Sequence, residues 1–521
     1  MVKIVLNKVT YILFSLLFLF NCVDVRAQEY KMALDKFVQA FQIIYTQYTD
    51  TVDASKMTED AIEAMLKELD PHSVYLTKKE SGDSQTQLKG NFSGIGIQFQ
   101  IINDTITVIS AISGGPSEKM GIMSGDKIVK VDSLNAIKKS NTWVTDHVRG
   151  KKGSTVKLKI FRPMLNDSLD FAIVRDDIPI YSVDAHYMIN DDLGYIKLNR
   201  FSRTSYDEVH TALLDLKSKG MKDLILDLRD NPGGYLDIAV KIADEFLDDK
   251  QLIVYTEGRV EKRRNYFSTE AGDFQTGKIA VLVNEGSASA SEIVSGALQD
   301  HDRGLVIGRR TFGKGLVQRP YYLRDKSELR LTIARYYTPS GRSIQKPYTK
   351  GREAYNKEVA QRFERGELTE KDSIHFADSL KFKTDAGRTV YGGGGIMPDK
   401  FVPYDTANYS PYFKQLLKKG IPFYFANQYA LDNKDNLKKK YPDGESFIKK
   451  FHVDDDLRTK YITFAEGKGV KEDKEGYKTS EEMIETQLKA LIGRVVYDQG
   501  VYFRIINTLS DEYNTAIKML K

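Results

Sequence analysis

Apolar residues recur at helical spacing from Tyr30 to about Lys79, as in ALDKFVQAFQIIY and DAIEAMLKEL, and predict a small helical unit. It closes at LDPHSVYL, where Pro71 and its turn residues stop the helix. From Gly90 the pattern shifts to short alternating strands broken by glycine: GIGIQFQI, TITVISAI, DKIVKVDSL and STVKLKIF. With a helical patch at NTWVTDHVRG and a short helix at Ser117 to Met120, they describe a compact barrel that exits near Arg175 to Pro179. Between Ile180 and Pro403, strands such as LGYIKLNRF, KDLILDLRD, KIAVLVNEG and GLVIGRR take turns with helices SYDEVHTALLDLKSKG, LDIAVKIADEFL and SEIVSGALQDH. That alternation predicts a parallel or mixed sheet covered on both faces. After Pro403 the chain is lysine-rich and helical, with MIETQLKALIGRVVYDQGVYFRIINTL its strongest segment and no chemical motif, so it reads as structural or oligomerising.

The 521 residues exceed what one hydrophobic core supports, and 41% hydrophobic with 29% charged residues is globular. The expected class is therefore multidomain α/β: a leader at 1–27, a helical unit at 28–88, a barrel at 89–177, an α/β core at 178–403 and a helical domain at 404–521. The lone cysteine, Cys22, excludes a disulfide framework and a cysteine-rich metal site. Lys3 and Lys8 precede the apolar stretch VTYILFSLLFLF, and Val25 and Ala27 suit a cut before Gln28. The stretch is shorter than the ~20 residues of a membrane span, so a cleaved signal peptide is the reading, and export to the periplasm follows in a Gram-negative host. Lipid attachment at Cys22 is second, disfavoured by Asn21, and a retained anchor is third. Net charge is +5 for the whole chain, and loss of the leader leaves it close to neutral. Nucleic acid binding needs a concentrated basic footprint and gains no support; the KKK at 438–440 reads as a solvated helix face.

Candidate chemistry begins at EGSASASEI, Glu285 to Ile293, where three alternate serines sit at a strand-to-helix turn. A nucleophile there is exposed at the sheet's end, with backbone N–H groups facing a developing oxyanion. The plainer alternative is that small residues permit a tight turn and one serine caps the helix.

Two kinds of base compete. Lys314, in TFGKG, follows the strand GLVIG and can return beside the helix start. An ordinary lysine is neutral at pH 7 in only roughly one molecule in several thousand, so about 4 kcal/mol of destabilisation of the ammonium is required. Burial can supply this, helped by Arg309 and Arg310 if they approach, and Gln318 can accept a hydrogen bond from the amine. Of the seven histidines, only His301 lies near the serine turn in sequence, at the helix end where a capping histidine is common. Metal hydrolysis is weaker still, because H-E-x-x-H is lacking. LDLRDNPGG leaves a buried strand and can offer N–H groups as a second oxyanion arm, though N-P-G-G is also an ordinary turn.

Together LDLRDNPGG, GSASASEI, ALQD, TFGKGLVQ, LTIARYYTPSGRSIQ and GGGGIMPD resemble the carboxyl-terminal processing peptidases, or tail-specific proteases, in order and spacing. LDPHSVYL and the glycine-rich barrel fit as well; the region after Pro403 has no clear counterpart. The resemblance implies a crotonase-like peptidase core, Ser289 as nucleophile, Lys314 as general base and Gln318 orienting it. It further implies N–H groups of Ala290 and Gly233 in the oxyanion hole, Asp300 in support, and no cofactor or metal. The barrel resembles a PDZ domain, in which Ile95, Gly96 and Ile97 would receive a substrate's terminal carboxylate as the peptide adds as a strand. The implied partners are proteins with free C-termini, with self-association and an adaptor left open. Two rivals remain: a Ser-His hydrolase of related fold, and a PDZ scaffold or chaperone that binds without cutting.

Overall fold

The computed structural model describes residues 28–102, 104–112, 114–163, 165–405 and 407–521; the leader and Cys22 lie outside them. The chain divides into two compact units, one ending at Leu69 and one running from Asp70 to Lys521. The first unit holds helices over 28–47 and Ala54–Lys67. Asp53 caps the second helix, its carboxylate accepting the Lys56 N–H at 3.0 Å. Among the described residues no helix is long and apolar enough to cross a membrane.

The second unit is built on a six-stranded sheet in the order β1 (Val183–Met188), β2 (Leu193–Leu198), β3 (Asp223–Asp227), β4 (Ile279–Val283), β5 (Leu305–Gly308) and β6 (Lys400–Phe401). β1 is antiparallel to β2 and every later pairing is parallel, so the sheet is mixed. Strand alternation assigns its faces. Ile196, Leu198, Leu224, Leu226, Val281 and Val283 pack under α1 (Ser205–Ser218), α2 (Leu236–Asp244) and α3 (Ala290–Asp300). Tyr195, Ile225, Ala280, Leu282 and Ile307 point to the other face, where Tyr513, Ala516 and Leu520 of the last helix, α4 (Asp511–Leu520), cover them. The helical tail thus ends as a layer of the α/β core. Continuous apolar runs such as IAVLV arise because these strands are buried on both sides.

A second sheet centres on the long strand Glu328–Tyr337, paired along one edge with Leu316–Tyr322. Its other edge takes Val74–Leu76 at one end and Leu252–Glu257 at the other. LDPHSVYL therefore does more than close the N-terminal helices: from Asp70 onward it belongs to the second unit and adds a strand to it. The glycine-rich segment forms an antiparallel sheet in the order Ile97–Ile102, Thr105–Ala111, Lys127–Val131, Thr155–Arg162, Asp167–Val174, with helix Asn141–Val148 over its core. The chain enters and leaves it through a ladder pairing Asn91–Gly94 with Asp176–Pro179. Seven helices between Pro411 and Ile506 gather around a separate apolar core. Lys438, Lys439 and Lys440 are exposed in the last turn of one of them.

Candidate active site

The three serines at the start of α3 have different surroundings. The Ser287 hydroxyl donates to Leu228 O (2.8 Å) and accepts from Asn284 N–H (3.0 Å), and the Ser291 hydroxyl donates to Asn231 O (2.9 Å). Both serines are fully buried, so their hydroxyls hold the turn together. Ser289 is only half-buried and has φ +55° and ψ −111°, a strained conformation for a residue with a side chain.

Lys314 leaves β5 through a loop that folds back to the same place. The element holding the two together was missed in the sequence: Glu292, one turn into α3 and fully buried. Its Oε2 accepts the N–H groups of both Ser289 (2.8 Å) and Lys314 (2.9 Å). Its Oε1 accepts Gly313 N–H (2.7 Å) and the Thr311 hydroxyl (2.6 Å). Burial pushes the Glu292 carboxyl up to about 7, against these four donors. Tyr336 completes the clamp, its buried hydroxyl lying on the carbonyls of Ser289 (3.0 Å) and Lys314. The sequence carried a signal for Glu292 in S-x-x-E at a helix start, a capping-box spacing; Tyr336 gave none.

The Lys314 Nζ donates to Gln318 Oε1 at 3.3 Å, and Gln318 Nε2 donates to His72 O. Asp70 fixes that turn, accepting the N–H groups of His72 (2.8 Å) and Ser73 (3.0 Å) and the hydroxyl of Thr332 (3.0 Å). Burial holds the Lys314 amine below its usual 10.5, with the Arg330 charge adding to the effect and Glu292 and Asp70 opposing it. The expected helpers do not approach: Arg309 turns to Glu285 and Glu512, and Arg310 to Glu367. Among the described residues no hydrogen bond joins the Ser289 hydroxyl to the Lys314 amine; catalytic hydrogen bonds are commonly looser before substrate binds.

His301 is engaged away from the serine turn. Its Nδ1 is bound to Asp385 (2.7 Å) and its Nε2 to Leu252 O (2.8 Å), at the opposite end of α3 from Ser289. His72, whose carbonyl holds Gln318, feels the lysine's charge; its ring meets the Tyr355 hydroxyl (2.7 Å), and burial, with the charge of Lys314, lowers it to about 4. Asp300 is buried, accepting Arg342 (2.7 Å) and the Ser340 N–H (3.0 Å), so it ties α3 to the turn that follows the strand Glu328–Tyr337 and hydrogen-bonds to neither Ser289 nor Lys314.

The N-P-G-G turn closes the other side. Ala288 N–H donates to Asn231 O (3.0 Å), seating the turn on the serine segment. Gly233 has φ +95°, and a Cβ there would lie 2.7 Å from Ala288 O and 2.8 Å from Ser289 Cβ, so only glycine allows this approach. Its N–H is engaged by Asn231 Oδ1 (2.9 Å). The N–H groups of Gly234 and Ala290 have no acceptor among the described residues. In the small antiparallel sheet, Ile97–Ile102 is an edge strand. Just before it Gly96 takes φ +74°, and the N–H groups of Ile95 and Gly96 have no acceptor among the described residues.

One group of side chains places metal-ligating atoms near one another: His210 Nδ1 is 3.0 Å from Glu245 Oε1 and 3.5 Å from Asp273 Oδ2. Lys217 Nζ stands 3.5 Å from the same Asp273, an arrangement of an ion cluster, and none of the three hydrogen-bonds to the serine and lysine loops.

The chain is similar to known proteins. The family model described as peptidase family S41 matches residues 192–351, a PDZ domain model residues 93–173, an activating protease CtpB N-terminal domain model residues 22–80, and a family of unknown function residues 412–498. The carboxy-terminal-processing protease of Bartonella bacilliformis is 42% identical over 317 residues, 60% of this chain and 72% of that protein. A probable CtpA-like serine protease of Staphylococcus haemolyticus is 38% identical over 319 residues; the match spans 63% of it, less than two thirds of its length. Among solved structures, a photosystem II D1 C-terminal processing protease is 29% identical, with 58% of this chain and 83% of that one covered and a TM-score of 0.35. The chain belongs to peptidase family S41, as a serine peptidase of the carboxy-terminal processing type with a PDZ domain.

Proposed function

We propose that this protein is an exported endopeptidase that captures the C-terminal tails of proteins and cuts them with Ser289 and Lys314. The observation that carries the reading is the clamp of Glu292 and Tyr336, which binds the backbones of both residues while burial lowers the lysine's pKa. Ser289 Oγ attacks the scissile carbonyl as Lys314 takes its proton; the amine returns it to the leaving nitrogen, and water resolves the acyl-enzyme by the same route. Gln318 keeps the amine turned inward. The tetrahedral oxyanion is received by the Ala290 N–H and by the glycine turn, where Gly234 offers a free donor and Gly233 must first release Asn231. Asp300 acts through its buried pair with Arg342.

Residues 89–177 serve as the PDZ domain. A substrate tail adds beside Ile97–Ile102 and its carboxylate meets the N–H groups of Ile95, Gly96 and Ile97, a role supported by the free edge and the two open N–H groups. The core at 178–403, with helices on one face of a mixed sheet, is read as crotonase-like, and residues 404–521 as a helical domain whose last helix returns to it. The basic and apolar N-terminus supports a leader removed before Gln28 and a periplasmic site of action; the lipid-anchored form would use Cys22.

The test is cleavage of an unfolded protein and of paired peptides with free or amidated C-termini. Ser289→Ala should abolish turnover, and amidation should weaken capture. Equal cleavage by Ser289→Ala and parent would leave a binding module in place of a protease, and indifference to amidation would remove the PDZ role. Loss of activity in His301→Ala with retention in Lys314→Ala would instead favour a Ser-His hydrolase.

A further inference from the structure

Behind the loops of the proposed site, on the side of the sheet away from α3, lies a chain of alternating charges, buried at Asp227, Glu512 and Arg309 and half-buried at Arg229 and Glu285, that the mechanism above does not use. It runs Asp227, Arg229, Glu512, Arg309, Glu285. Arg229 is held by Asp227 (2.6 Å), Arg309 by Glu285 (2.9 Å), and Glu512 meets both arginines, at 3.2 Å from Arg229 Nη1 and 2.5 Å from Arg309 Nη1. Asp227 ends β3, Arg309 directly follows β5 and Glu285 stands two residues after β4. Each arginine therefore opens a loop that ends in the site: Arg229 leads within a few residues to the Gly233 turn, and Arg309 to Lys314. Glu285 likewise precedes Ser289.

Glu512 alone among the five comes from outside these loops. It sits in the first turn of α4, whose cap Ser510 also accepts Arg229 Nη1 (2.5 Å) and donates to Glu512 Oε2 (2.8 Å). Asn507 Oδ1, at 3.3 Å from Arg229 Nη2, adds a further contact from the same segment. α4 itself is anchored on the sheet by Tyr513, Ala516 and Leu520, so Glu512 is held on a rigid element and not on a flexible tail. Glu512 is 8% exposed and Arg309 5% exposed, so this is a desolvated bridge, unlike the surface pairs that contribute little.

We propose that Glu512 is a positioning residue for catalysis: it ties the loop of Gly233 to the loop of Lys314 from behind, so the chain's final helix sets the geometry of the peptidase site. The inference rests on the reading of Ser289 and Lys314 given above. Replacement by glutamine keeps the shape and leaves Glu285 opposite Arg309 and Asp227 opposite Arg229, although Asp227 also faces Lys197 at 3.3 Å and accepts the Tyr195 hydroxyl at 2.7 Å, so the fold should survive while the bridge loses its charge.

The experiment compares full-length parent, Glu512→Gln, Glu512→Asp, Glu485→Gln and Ser289→Ala on one peptide with a free C-terminus. It adds the rate at which a small organophosphate reagent labels the active serine, which needs no tail capture. Glu485 pairs with Arg458 inside the helical domain (2.7 Å) and controls for general loosening of that domain. Glu512→Gln should lower kcat and the labelling rate about tenfold, below the roughly hundredfold cost of a displacement of about 1 Å. KM should stay within about twofold, because the tail site is untouched, and the midpoint of the kcat–pH profile should move. Glu512→Asp should recover part of the loss and Glu485→Gln should match the parent. A folded Glu512→Gln protein with the parent's kcat and pH midpoint overturns the proposal, as does an equal loss in Glu485→Gln. Should the glutamine variant not fold, full kcat in Glu512→Asp, whose carboxylate is withdrawn by one methylene, overturns it equally. Undiminished cleavage by Ser289→Ala would sink the proposed function and this inference together, whereas an inactive Ser289→Ala beside a fully active Glu512→Gln removes the inference alone.

Discussion

At the scale of single residues, the proposed chemistry turns on one buried amine. Burial places the folded pKa of Lys314 below 10.5, so between those two values the unfolded chain binds more protons than the folded one. Stability due to this residue therefore rises with pH across that window, and below it the protein carries the full cost of a buried ammonium. Lys314→Met should be more stable than the parent at pH 7, with the difference shrinking as pH approaches 10.5, while peptide cleavage is lost. Denaturant unfolding of the two proteins at both pH values measures it; a gap that stays constant with pH would mean the lysine is not desolvated. Activity of the parent should correspondingly rise with pH as Lys314 loses its proton. The spacing of the three serines alone does not separate them and the resemblance singles out Ser289; in the structure Ser287 and Ser291 spend their hydroxyls on Leu228 and Asn231.

At the scale of elements, the site is the meeting of three loops at the carboxyl ends of β3, β4 and β5. Their closeness depends on positions where no side chain fits. Gly233→Ala would put a methyl group against Ala288 O and Ser289 Cβ in a backbone conformation that L-residues avoid. The expected result is a folded protein whose kcat falls by at least about a hundredfold, since an approach of this kind tolerates a shift of less than about 1 Å. Circular dichroism and steady-state kinetics test it, and a variant with kcat near the parent's would mean the glycine turn lies outside the chemistry. Strands and helices of the core were legible because their apolar periods are clear. Val74–Leu76 was not, because three residues are too short to carry a period and its partner, Glu328–Arg330, lies far along the chain.

At the scale of the molecule, the last helix belongs to the core sheet. Deleting residues 511–521 would uncover Tyr195, Ile225, Leu282 and Ile307 and remove Tyr513 and Leu520, large buried side chains worth about 1.5–3 kcal/mol each. The truncated protein should aggregate or melt well below the parent, by light scattering and thermal unfolding. A monodisperse product with an unchanged melting temperature would show that α4 is dispensable to the fold.

The order of elements and the α/β and multidomain class were determined by the sequence, because local periodicity and glycine-rich turns are properties of neighbouring residues; the short list of candidate residues came from motifs that resemble a known family. Tertiary structure alone decided that Ser287 and Ser291 spend their hydroxyls on backbone carbonyls, that His301 faces Asp385, that Arg309 serves Glu512, and that Glu292 and Tyr336 bind the serine and lysine backbones together. Those outcomes depend on hydrogen bonds and charges between segments distant along the chain, and a carboxylate's partners are fixed only when folding removes water and leaves each buried donor one acceptor within reach.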